Sequence, residues 1–276
     1  MSAIILGQTT QKQHSPIWRF VNAVVAVTAR DVTITIKNPG TLGMSLVMPL
    51  VMMGVVGGNL MQNMSGGLGF NFGRFMLVGM IVNMLFMSTT MGMTSLVDDS
   101  DDNFSAEMLV SPSSRYAIVT GKILGSAFLA ILSATGTLIV GAVMGYTLTG
   151  WQLLGVLALA PLMCLAGGAL AMMVFGLIDN KKTANMAVMV IMMPQMLLSG
   201  VIIPIAHSTG VLLVLSRLLP MTYCVDLARA VVYSGSAEYS SVVLFNPAVS
   251  LVAIVSLTAV FLVVGTFLYV RSEKNR

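Results

Sequence analysis

LLGVLALAPLMCLAGGALAMMVFGLI, residues Leu153–Ile178, runs for 26 positions without Asp, Glu, Lys, Arg or His. A helix rises about 1.5 Å per residue, so this run is long enough to cross the roughly 30 Å hydrocarbon core of a bilayer. Five further runs share its character: Thr41–Leu60, Phe75–Val97, Ile123–Gly145, Thr183–Ile205 and Ala248–Val270. Together the six account for half of the 276 residues, and none holds an acidic, basic or histidine side chain. A membrane β-barrel would instead alternate polar and apolar residues in segments of about ten. The expectation is an all-α membrane protein with one six-span transmembrane domain over 41–270.

Composition agrees. Hydrophobic residues make up 57% of the chain and charged residues 9%, against about 25% charged in an average soluble domain. A soluble enzyme of this size could not cover its surface with so few charges. A net charge of +4 rests on 14 basic against 10 acidic residues. No basic cluster of the kind that binds nucleic acid is present. Cys164 and Cys224 lie in separate apolar stretches and are expected to be unpaired, buried thiols.

With the N-terminus inside, the inner segments are 1–40, 98–122, 179–182 and 271–276. They carry eleven of the 14 basic residues, leaving Arg74, Arg217 and Arg229 outside. Basic residues mark the cytoplasmic side, so a multi-pass protein of the cytoplasmic membrane with both termini inside is expected. Segment 1–40 has no apolar run followed by a cleavage site, which argues against a signal peptide. Within it, Arg19, Ala23, Ala26, Arg30, Thr33 and Lys37 recur at helical spacing, with Ile17, Val21, Val24, Val25, Thr28 and Val32 on the other side. That pattern suits an amphipathic helix in the plane of the membrane surface. A cytoplasmic helix packed on another subunit is the alternative.

The outer segment 206–247 is too long for a simple loop. Its apolar stretch Val211–Leu215 lies between Pro204 and Pro220 and is too short to cross. A re-entrant or short extracellular helix fits, with an extracellular cap as the alternative. The inner loop Asp98-Asp99-Ser100-Asp101-Asp102 concentrates four of the ten carboxylates. It lacks the spacing of a calcium loop. A second reading makes the acidic run the start of a short cytoplasmic helix, favoured by the helix dipole and limited by Pro112. That helix would present Phe104, Met108 and Leu109 to a partner. No phosphate-binding loop surrounds Gly121-Lys122. Neither His14 nor His207 has a ligand-spaced neighbour, so no metal site is expected. With no charge in any span, the chain has no proton relay of its own.

The order of these features resembles the membrane subunit of ABC-2 type transporters. The stretch Glu107-Met108-Leu109-Val110-Ser111-Pro112-Ser113-Ser114-Arg115, followed by Gly121-Lys122-Ile123-Leu124, is similar to the family's coupling segment. Leu198-Ser199-Gly200 through Pro204, Leu219-Pro220-Met221-Thr222 and Asp226-Leu227-Ala228-Arg229 are similar to the end of its fifth span and the chain just beyond that span. Asp98–Asp102 depart from the Arg/Glu-rich residues common there. The resemblance implies a coupling helix at about 99–112. Asn103, Phe104, Ser105, Glu107, Met108, Leu109, Ser111, Pro112 and Arg115 would meet a separate ATPase subunit. It further implies two ATPase copies holding ATP and Mg, no cofactor in this chain, and a second permease copy as homodimer or a related one as heterodimer. Pro204, Pro220, Asp226 and Arg229 would belong to the extracellular gate or re-entrant segment.

A path between protomers would be lined by spans one, two and five. Met52, Asn83, Met84, Met87, Met192, Gln195 and Met196 are its expected lining, although Asn83 and Gln195 could equally bond neighbouring helices. Methionine walls adapt to varied apolar ligands. The expected cargo is therefore amphiphilic or hydrophobic, such as a drug, antibiotic, lipid or lipidic peptide, as in efflux and multidrug resistance. Gly54–Gly58, Gly121–Gly125 and Gly141–Gly145 each have small-residue spacing for close helix packing, a pattern common by chance among 26 glycines. The alternatives are a lipid-modifying enzyme using Asp226, Arg229 and Glu238, or a non-transporting membrane anchor or sensor.

Overall fold

The computed structural model describes residues 15–64, 69–94, 115–178, 180–205 and 210–274. The acidic run, the expected coupling helix and His207 lie outside these residues. Among the described residues every regular element is a helix.

Asparagine caps start several of them. Asn38 Oδ1 accepts the Thr41 N–H at 3.2 Å and opens α2 (Pro39–Pro49), directly after α1 (Pro16–Lys37). Asn71 and Asn180 do the same for Arg74 and Thr183, at 3.0 and 3.1 Å, opening α4 (Phe72–Gly92) and α7 (Lys181–Leu198). Each takes up a helix-start N–H that has no carbonyl partner in its own helix.

The first span is not a plain helix. α2 passes into eight residues of π-helix, Leu50–Gly57, before α3 (Gly58–Met64). Pro49 removes one backbone donor from the ladder, and the turns widen immediately beyond it. Gly54, Gly57 and Gly58 place little side-chain bulk against that widening.

The remaining helices are α5 (Arg115–Val143), α6 (Gly150–Leu177), α8 (Val211–Leu218), α9 (Pro220–Val232), α10 (Tyr239–Val242) and α11 (Pro247–Lys274). α4 is the centre of the bundle: 16 of its 21 residues are buried, against α5, α6 and α9. α6 and α11 touch backbone to backbone. A Cβ on Gly176 would lie 2.6 Å from Gly265 O, and one on Gly265 2.6 Å from Met173 N. The first span and α11 turn large apolar side chains outward, including Met44, Val47, Val55, Val252 and Val263, as lipid-facing helices do. α7 is also open on one side, with Met186, Met189, Val190 and Met193 exposed along one stripe.

Among the described residues five helices are long and apolar enough to cross a membrane, or six if the bent pair α8–α9 is taken as one span. α7, at 18 residues, rises about 27 Å. It stops at Ser199-Gly200, where Gly200 adopts φ 82°, a left-handed turn that glycine permits. α5 starts eight residues before the charge-free run at Ile123, so Lys122 lies inside a span-length helix. α8 and α9 meet at 87° across Leu219. Pro220 at the first position of α9 cannot continue the α8 ladder. Thr222 Oγ1 donates to Ser216 O at 2.6 Å and Tyr223 OH to Arg217 O at 2.7 Å, which pins the bend.

Candidate substrate cavity

α1, the first span, α4 and α5 enclose an open-sided cavity of about 750 Å³. Met44, Met48 and Met52 of the first span face Met84, Met87 and Met91 of α4 across it, and Met196 of α7 closes one side. The lining is mainly apolar, with the hydroxyl side chains Thr35, Thr41, Ser45, Ser88 and Ser133 spread among the methionines. At one end Lys122 Nζ sits 3.2 Å from Asp31 Oδ1, with the two side chains 3% and 11% exposed. Ser126 Oγ beside them donates to Lys122 O at 2.9 Å. Further along α4 lies Asn83, 1% exposed. Its Nδ2 has no acceptor among the described residues.

The charged end exists because α1 lies directly against α5. A Cβ on Gly121 would sit 2.8 Å from Val27 Cβ, and one on Gly125 2.6 Å from Asp31 Cβ. Only glycine allows this approach. Thr28 Oγ1 donates to Val24 O and Gly121 O at 2.8 and 3.1 Å, tying the two helices together. The side of α1 facing α5 thus includes Val24, Val27, Thr28 and Asp31, while Ile17, Val21 and Val25 of the expected apolar side remain exposed. Of the three glycine pairs, Gly121–Gly125 is a close-packing face. Gly54 has open space around it, and Gly145 lies in a turn at φ 87°.

Five residues expected on the path, Met52, Asn83, Met84, Met87 and Met196, line this cavity. Met192 and Gln195 do not. Both are buried, and Gln195 Oε1 accepts the Met221 N–H at 3.4 Å, bonding α7 to α9. Asp31, Lys122 and Ser126 join the lining without having been expected there. The signal that could have found them was the Gly121–Gly125 spacing beside Lys122.

The outer residues also come together. Arg229 is 1% exposed. It donates to Gly200 O at 2.7 Å and so holds the chain just beyond α7. Asp226, also buried, accepts the N–H groups of Leu244 and Phe245 at 2.6 and 3.2 Å and Ser250 Oγ at 2.7 Å. Rather than lining an open border, the pair ties α9 to the end of α7 and to the start of α11. Pro204 is partly buried before α8, and Pro220 opens α9. The segment Asn103–Pro112 falls outside the described residues, and Arg115 begins α5.

An all-helical bundle with span-length apolar helices and a methionine-walled cavity defines a multi-pass membrane protein. A family model, ABC-2 type transporter, matches residues 22–233. The chain belongs to that family of transporter membrane components. It is similar to Nodulation protein J of Rhizobium meliloti (strain 1021), at 31% identity over 115 residues. That match covers 41% of this chain and 43% of the relative's length.

Proposed function

We propose that this chain is the permease subunit of an ATP-driven exporter, powered by a separate ABC ATPase subunit and moving an amphiphilic or hydrophobic substrate outward across the cytoplasmic membrane. The cavity carries this reading. Methionine sulfur and methyl groups form an adaptable apolar wall, with the Asp31–Lys122 pair and scattered hydroxyl groups set into it. Such a lining suits a molecule with an apolar body and polar groups.

The energy comes from outside the chain. The family is that of ABC-2 type transporters, and in this reading the motor docks as a separate ATPase subunit. The inner segment around Glu107-Met108-Leu109 is the docking element in this reading, and α4 and α5, which flank it in sequence, carry the motor's closure to the cavity. Two permease copies pair, as a homodimer or with a related chain, and two ATPase copies bind below them. The exposed stripe of α7 and the outward face of the first span supply apolar surface for that pairing. Both termini are cytoplasmic, and α8 and α9 dip into the outer leaflet as a re-entrant pair.

The test is reconstitution. The chain, co-expressed with a candidate ABC ATPase subunit, is purified as a complex and placed in lipid discs. ATP hydrolysis stimulated by amphiphiles such as monoacylglycerols supports the reading, and an unaltered basal rate across amphiphilic and apolar compounds counts against it.

A further inference from the structure

The walls of the cavity differ in kind. Among the described residues, methionines reach it from the first span, from α4 and, through Met196, from α7, but not from α5. The lining residues of α5 are Lys122, Gly125, Ser126, Leu129 and Ser133. They recur every three or four positions and so share one face. Ser126 and Ser133 lie seven residues apart on it, roughly 10 Å along the axis. Thr41, Ser45 and Ser88 are set among the methionines, and Ser45 Oγ donates to its own helix at Leu42 O, 2.7 Å away.

Ser133 breaks a rule that the rest of α5 keeps. Thr120, Ser126, Thr135 and Thr137 each donate to the carbonyl four residues before, as hydroxyls inside a helix do. The Ser133 carbonyl accepts from Thr137, but the Ser133 hydroxyl has no hydrogen-bond partner among the described residues. Ser133 is only 3% exposed, and it borders the cavity. A buried hydroxyl without a partner is costly, and such a group usually finds one in protein, water or ligand. Ser126, whose proton is taken by Lys122 O, keeps its lone pairs to accept from a ligand.

We infer that the cavity takes a facial amphiphile. Such a ligand lies lengthwise, with an apolar face on the methionines and two or more hydroxyl groups along one edge, one donating to Ser126 Oγ and another paired with Ser133 Oγ. This rests on reading the cavity as the transport path and adds a substrate class to it. A head-and-tail molecule carries its polar groups at one end. It reaches one of these two hydroxyls and leaves the other against apolar chain, because roughly 10 Å of helix separates them. The methionine side chains, unbranched and adaptable, mould to the broad apolar face of a rigid body.

The probes are methyl cholate, whose three hydroxyls share one face of a rigid steroid, methyl lithocholate, which keeps a single hydroxyl at one end, and monostearoylglycerol as the head-and-tail compound. All are uncharged, so the Arg30–Asp31–Lys122 cluster does not separate them by charge. Each is radiolabelled and titrated onto the full chain in lipid discs, with uptake by empty discs subtracted. Methyl cholate is expected to bind roughly tenfold more tightly than methyl lithocholate. In Ser133→Ala that preference falls roughly three- to tenfold, while Thr135→Ala, at an exposed position of α5 outside the cavity lining, leaves it unchanged. Should Ser133→Ala fail to fold, the comparison of the two steroids on the wild-type chain decides alone. Equal binding of the two steroids, a preference that survives Ser133→Ala, or tighter binding of monostearoylglycerol than of methyl cholate overturns the facial assignment and leaves the amphiphile path standing. If none of the three binds above the empty-disc level, this inference and the transport path fail together.

Discussion

Arg229 lays its guanidinium on the ring of Phe75, 3.4 Å from the centroid, while reaching past it to the Gly200 carbonyl. One side chain of α9 therefore fastens the central helix to the chain just beyond α7. A desolvated cation over an aromatic ring and a charge-assisted hydrogen bond each contribute on the order of 2 kcal/mol. Arg229→Met should lower stability by about 2–4 kcal/mol. Thermal unfolding in detergent would show this, and an unchanged midpoint would mean that the contact does not hold the fold.

Asp31 and Lys122 form a buried pair whose single and double replacements should behave differently. Lys122→Met leaves a carboxylate without its nearest cation and should cost about 3–5 kcal/mol. Asp31→Asn combined with Lys122→Met should recover most of that loss. A double-mutant cycle read by unfolding midpoints measures it, and strictly additive losses would contradict the pairing.

Gly121 and Gly125 set the distance between α1 and α5. Gly121→Val should separate the helices at a cost of about 1–3 kcal/mol. Limited proteolysis is the readout, because a detached α1 exposes backbone that the native pair protects. Cleavage indistinguishable from wild type would show that α1 is held by other contacts.

Asp226 accepts three hydrogen bonds at the base of α11, from two backbone N–H groups and one serine. Asp226→Ala strands these donors and should destabilise by about 2–4 kcal/mol, and Asp226→Asn by less, since one amide oxygen still accepts. Equal losses in the two variants would argue that charge, not hydrogen bonding, matters there.

Replacing Glu107 or Leu109 should uncouple hydrolysis from transport without lowering expression. In the reconstituted complex, Leu109→Ala is expected to keep basal ATP turnover and lose substrate movement. Normal transport would remove the docking role from this segment.

How much of the fold is legible in the sequence depends on which force set it. The membrane class comes from desolvation: a charge in hydrocarbon is expensive, so charge-free runs report spans directly. That logic weakens where protein, not lipid, surrounds a residue. Lys122 sits inside a helix because Asp31 neutralises it, and no periodicity in α5 announces a partner 91 residues away. Asp226 and Arg229 read as border residues but are enclosed, because each found its partners on other helices. The π-helix hides for another reason. Residues 50–57 are uniformly apolar, so their composition is the same for either ladder. The methionine clustering did point to the cavity, because spans one and two carry it on facing sides. Gln195 looked similar and instead bonds α9.

The burial of α4 also bears on the order in which the protein is made. Its main partners α5, α6 and α9 all come later in the chain. A ribosome delivers the second span into the bilayer with only the first span beside it, so during synthesis Asn83 meets lipid or that one neighbour. The helix least in contact with lipid in the finished protein is thus among the most exposed at birth, and the bundle closes around it only as each later span arrives.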